Sequence, residues 1–159
     1  TRFAMAGQGG TLSPDGQWIA YFTQGDTLAI APSGGGPARR FELGSWASWT
    51  PDSRYVVYTE ARPEPWATGP GAAVHADLVA VSRDGSYRRQ LTDDPEIEWN
   101  CSVSPSGDRI AYSRSVSDLQ PHDLWVLDLV LPPTAVERTT WGRVKELYRP
   151  MVRVGTRRK

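Results

Sequence analysis

The chain has 159 residues and a mass of 17.6 kDa, enough for one domain whose core needs neither disulfide nor metal. Lys+Arg and Asp+Glu both number 18 and Cys101 is the one cysteine, which speaks against a nucleic-acid binder and excludes an intrachain disulfide. No apolar run approaches the roughly 20 residues of a membrane-spanning helix, and no signal peptide is expected at Thr1. Gly 15, Pro 13 and Trp 7 against two Lys describe a turn-rich, aromatic chain without long amphipathic helices, which points to an all-β protein.

Three segments repeat along the chain. Leu12-Ser-Pro-Asp-Gly-Gln-Trp-Ile-Ala-Tyr21 is followed by Trp49-Thr-Pro-Asp-Ser-Arg-Tyr-Val-Val-Tyr58 and by Val103-Ser-Pro-Ser-Gly-Asp-Arg-Ile-Ala-Tyr112. Each opens on a turn: proline presets φ, the Asp or Ser side chain bonds back to the backbone, and Gly accepts positive φ. The β-rich runs Trp18 to Phe22, Tyr55 to Thr59 and Arg109 to Ser113 come next and read as strands. A third strand follows at Thr27 to Ala31, Leu78 to Ser82 and Leu124 to Leu129, each preceded by an acid (Asp26, Asp77, Asp123). After a second turn, a short basic strand closes each unit at Ala38 to Phe41, Tyr87 to Thr92 and Val136 to Thr140. With the strand leading into each proline turn, the expectation is twelve strands in three four-stranded units. Trp18, Ile19, Tyr21, Val56, Tyr58, Ile110 and Tyr112 are expected among the core contacts.

The pattern Ser-Pro-Asp-Gly, Ile-Ala-Tyr, Asp-Leu-Trp-Val and Arg-Arg-Gln-Leu-Thr resembles the TolB-like β-propeller repeat, which is related to the non-catalytic propeller of prolyl oligopeptidases. The resemblance runs from about Leu12 to Thr140. It implies an all-β partial propeller over residues 1–140, with residues 141–159 as a basic arm. It also implies an extracytoplasmic, periplasmic location, peripheral to a membrane. Ser53 in place of Gly and Ser106 in place of Asp depart from the pattern, as does Pro132-Pro133 in the third unit's second turn. Propellers have about 4–8 blades, so three units leave two open faces that such repeats cannot bury alone. A second copy, another protein or a longer polypeptide would each cover them.

The repeat prolines Pro14, Pro51 and Pro105 are 37 and 54 residues apart. The excess collects in the links Ala61 to Ala76 and Arg114 to His122, on one expected face. Pro63, Pro65 and Pro70 stiffen the first link, and Trp66 at its centre is a candidate interface anchor. The other tryptophans up to Trp125, including Trp46, Trp49 and Trp99, are expected in the core. The tail from Trp141 carries seven basic residues (Arg143, Lys145, Arg149, Arg153, Arg157, Arg158, Lys159) and one acid, about +6, which leaves residues 1–140 with 11 basic and 17 acidic residues, about −6. Such an arm suits an anionic membrane surface or the charged rim of a membrane complex.

No catalytic signature emerges. There is no Gly-x-Ser-x-Gly elbow, and Gly34-Gly-Gly36 is not a P-loop. Cys101 reads as a buried, inert thiol. His75 and His122 precede equivalent strands without the further ligands that a metal needs. Asp93, Asp94, Glu96 and Glu98 read as a solvated acidic link. The sequence therefore points to a non-enzymatic protein–protein interaction module without cofactor or metal: an accessory or scaffold subunit of a larger, membrane-associated complex. A fragment of a hydrolase propeller and a small-ligand binder are the alternatives.

Overall fold

The computed structural model describes residues 7–63, 74–115 and 123–132. Ten strands and no helix occur among them: β1 (Gln8–Leu12), β2 (Trp18–Phe22), β3 (Thr27–Pro32), β4 (Arg39–Trp49), β5 (Tyr55–Pro63), β6 (Val74–Ser82), β7 (Arg88–Gln90), β8 (Ile97–Val103), β9 (Arg109–Ser115) and β10 (Asp123–Asp128). Every pairing is antiparallel between chain neighbours, in the orders β1-β2-β3-β4-β5-β6-β7 and β10-β9-β8. The strands form three antiparallel units in series, as the repeat requires. The expected fourth strand of the third unit, Val136 to Thr140, lies outside the described residues.

The proline turns are built as their chemistry dictates. Thr50 Oγ1 donates to Asp52 Oδ1 at 2.6 Å, while the N–H groups of Arg54 and Tyr55 donate to Asp52 Oδ1 and Thr50 Oγ1. The first unit repeats this with Ser13, Asp15, Gln17 and Trp18. Ser106 replaces the turn carboxylate in the third unit, and Asp108, two residues on, supplies it instead, accepting from Ser104 Oγ at 3.1 Å. Ser53 takes the glycine position at φ 60°, matching Gly16 at 69° and Gly107 at 76°. Its hydroxyl explains the exchange: Ser53 Oγ accepts the N–H of Asp15 from the neighbouring unit at 3.0 Å.

One expectation is corrected. The closing strand of the first unit and the lead strand of the second are one continuous strand, β4, pairing with β3 through Ile30↔Arg39 and with β5 through Trp49↔Val56. Gly44 sits where it passes between units. A Cβ there would lie 2.2 Å from the Thr59 carbonyl oxygen and 2.7 Å from the Tyr58 ring, so only glycine lets the strands approach so closely.

The core fills the spaces between units. Ala20, Phe22, Leu28 and Ile30 of the first unit pack with Trp49, Val56, Tyr58, Val79 and Val81 of the second. Val57, Leu78 and Ala80 on the opposite face of the second unit pack with Cys101, Ile110, Tyr112 and Leu127 of the third. Each sheet thus has a leading face turned to the next unit and a trailing face turned to the one before, as period-2 alternation requires. Trp18 packs against the first junction's core as expected, whereas Ile19 and Tyr21 depart from it. Ile19 and Tyr21 are half-buried on the opposite face of β2 from Ala20 and Phe22, because no unit precedes theirs among the described residues.

Candidate interaction surface

The register makes the units directly comparable. Ile30 pairs with Ala20, Ala80 with Val57 and Val126 with Ala111. Leu28, Leu78 and Leu124 then occupy one repeat position on the leading face. Leu28 and Leu78 are 0% exposed, whereas Leu124 is 86% exposed. Val126 and Ala111 are exposed as well. The trailing face of the first unit mirrors this: Leu12 is 59% exposed, while its equivalent Trp49 is 6% exposed and donates its indole N–H to the Thr11 carbonyl at 3.0 Å. Both ends of the array therefore carry apolar side chains of the kind its two internal junctions bury. The exposed pair Arg109–Asp128, 3.8 Å apart, borders the third unit's face and balances its own charge.

The lead strands share a second feature. Gly9, Trp46 and Asn100, each five residues before its repeat proline, adopt φ of 62°, 50° and 53°. Each lies within a break in strand register, the geometry of a β-bulge with a left-handed residue. A bulky residue in that conformation is held against its preference. Trp46 is 46% exposed, contrary to the core placement expected of it. Its ring meets Trp99 edge to face at 5.5 Å, and its carbonyl accepts from Cys101 Sγ at 2.8 Å. Burial pushes the Cys101 thiol up to about 12, so it is inert, as expected.

The acidic link is also corrected. Glu98 is fully buried on β8, its Oε2 accepting from the Leu78 N–H at 3.2 Å and from the Thr92 hydroxyl. Burial lifts its carboxyl to about 7, and the charges of Asp77 and Asp94 push the same way. Arg114 pairs with Asp94 at 3.3 Å and with Glu96, and its guanidinium lies 4.8 Å over the Trp125 ring. Asp77 is buried against Arg62 and Gln90. On β5, Tyr58 donates to Glu60 at 2.7 Å, and Arg88 reaches the other oxygen at 2.5 Å. These carboxylates are held by structural partners, and no three His, Cys, Asp or Glu residues among the described ones are placed to share a metal ion.

Of the residues singled out from sequence, Trp66, His122, Arg143, Lys145, Arg149, Arg153, Arg157, Arg158 and Lys159 lie outside the described residues. Sequence reasoning missed Leu12, Leu124 and Val126. The signal for them was the repeat alignment: each occupies an apolar position that no following or preceding unit covers among the described residues.

No protein-family model and no curated protein matches the chain. Solved structures do. The crystal structure of the tricorn protease superposes with a TM-score of 0.63 at 10% identity, over 78% of this chain and 14% of that one. The putative TolB from Agrobacterium tumefaciens gives 0.58 at 22% identity, over 74% and 40%. A prolyl endopeptidase gives 0.60 at 17% identity, over 75% and 20%. The chain thus spans less than half the length of each, and at these identities the likeness shows a shared TolB-like, propeller-type fold.

Proposed function

We propose that this chain is a non-enzymatic protein–protein interaction module, serving as an extracytoplasmic accessory or scaffold subunit of a larger, membrane-associated complex. The observation that carries this reading is the exposed apolar face of Ala111, Leu124 and Val126, whose equivalents are buried in the other units. A contiguous apolar patch on a sheet face marks a contact surface. Trp66 and the basic residues from Arg143 to Lys159 are proposed as further contacts, one an aromatic anchor and the others an electrostatic guide. The extracytoplasmic placement follows the resemblance to TolB-like proteins. The test is the mass and composition of the native assembly, isolated with the wild-type chain and with Leu124→Arg. A component present with the wild type and lost with the variant is expected; identical assemblies would refute the contact surface.

A second reading has support in the likeness to the tricorn protease and a prolyl endopeptidase: the units form part of a larger hydrolase's propeller. A native polypeptide that continues into a hydrolase domain would establish it.

A further inference from the structure

We infer that the junction between the second and third units is a proton-operated hinge: Glu98 latches the third unit onto the second while it holds a proton, and release of that proton to solvent frees the third unit while the first and second stay joined. The two internal junctions are built differently. β4 runs through the first junction and makes the first two units one seven-stranded sheet, whereas the third unit is a three-stranded sheet of its own. Gly44 and Glu98 stand at the same place, each seven residues before its repeat proline. At Gly44 the main chain makes the link, its N–H donating to the Asp26 carbonyl at 2.7 Å. At Glu98 a side chain makes it: Oε2 accepts the Leu78 N–H of β6 at 3.2 Å and the Thr92 hydroxyl. Val103 and Cys101 also bond across this junction, to Ser48 and Val57, but none of these groups ionises near neutral pH.

The surroundings favour the neutral carboxyl. Glu98 and Asp77 are both buried, and Glu98 Oε1 and Asp77 Oδ1 have no hydrogen-bond partner among the described residues. A charged oxygen without a partner is costly to bury, and a neutral carboxyl far less so. β6 supplies Asp77 beside the site, and His75 lies two residues before it, opposite Arg62 of β5. The link before β8 supplies Asp93, Asp94 and Glu96, and β9 supplies Arg114, opposite Glu98 in register. Arg62 pairs with Asp77, and Arg114 with Asp94 and Glu96, so neither guanidinium is left to balance a charge on Glu98. Glu60 of β5 is taken up by Tyr58 and Arg88, and β4 brings the uncharged Trp46 and Ser48. Burial, and after it the charges of Asp77 and Asp94, hold the Glu98 carboxyl at about 7. Its proton is therefore lost within the neutral range, and the carboxylate regains water when β8 parts from β6.

The test is hydrogen–deuterium exchange of the chain at about pH 5 and about pH 8, each amide corrected for its intrinsic exchange rate. Protection of β8 and β9 is expected to fall at least about tenfold at the higher pH, while that of β2 and β3 holds. Glu98→Gln keeps the acceptor and cannot ionise, so its β8 and β9 amides should stay protected at both values. Asp77→Asn removes a neighbouring negative charge and should shrink the wild-type loss without abolishing it. Protection of β8 and β9 that does not change with pH would overturn the hinge. So would an equal loss in β2 and β3, which marks unfolding of the whole chain, or a loss in Glu98→Gln as large as in the wild type.

Discussion

Glu98 on β8 reaches into the second unit and accepts a hydrogen bond from the main-chain N–H of Leu78 on β6 at 3.2 Å. The same oxygen accepts from Thr92, and the carboxyl is fully buried. The junction between the second and third units is therefore pinned by an ionisable group whose value in the fold is about 7 against an ordinary 4.5.

A carboxyl raised in the folded state stabilises the fold while it is protonated. That contribution is complete below about pH 4.5 and is lost as pH rises through about 7, an effect on the order of 3 kcal/mol for this group. Burial raises Asp77 as well, with the same sign. The thermal midpoint is expected to fall between about pH 5 and pH 8. Glu98→Gln, which keeps an acceptor but cannot ionise, should flatten that slope. A slope unchanged in the variant would show that the dependence arises elsewhere.

Gly16 and Gly107 occupy the same turn position with φ of 69° and 76°. A Cβ at Gly16 meets nothing within 4 Å, whereas one at Gly107 comes within 3.1 Å of Pro51 Cδ. Gly16→Ala should cost about 1 kcal/mol, from backbone strain alone. Gly107→Ala should cost more, about 2 kcal/mol, because the neighbouring unit's proline must move. Urea unfolding of both variants checks the order, and equal losses would contradict the contact between turns.

Tyr58 and Tyr21 occupy equivalent positions with different surroundings. The buried Tyr58 hydroxyl donates to Glu60, so Tyr58→Phe should leave a buried carboxylate short of one donor and cost about 1–2 kcal/mol. Tyr21→Phe, at a half-exposed site, should cost less than about 0.5 kcal/mol. Chemical denaturation measures both.

Residues 143–159 hold seven positive charges beside one acid. Their deletion should weaken association with an anionic vesicle or with the native assembly at low ionic strength, and the difference should shrink near 1 M salt. Association that is unchanged at low salt would remove the arm from the account.

Much of the fold was legible because turn chemistry is local. Pro14, Pro51 and Pro105 fix the turns, and the strands at Trp18, Tyr55 and Arg109 begin at those residues. Features that depend on one unit meeting another were less visible. The continuous β4 depends on the close approach at Gly44. The bulges at Gly9, Trp46 and Asn100 share geometry but no residue type, so no motif announces them. Glu98 lies among acids that read as solvated, and only its position opposite Leu78 and Thr92 buries it. Leu124 lies on an expected strand at the position of Leu28 and Leu78, and its exposure comes from the lack of a following unit among the described residues.

The account's central claim is that the face carrying Leu124 is covered when the protein is assembled. Leu124→Cys with a thiol reagent tests it most directly, because Cys101 is buried with its thiol pushed up to about 12 and stays silent. The predicted result is rapid labelling in the dilute, dissociated chain and labelling slowed at least about tenfold in the assembly, as protection by a specific contact worth about 1.4 kcal/mol requires. Equal labelling rates in the dissociated and assembled states would contradict it.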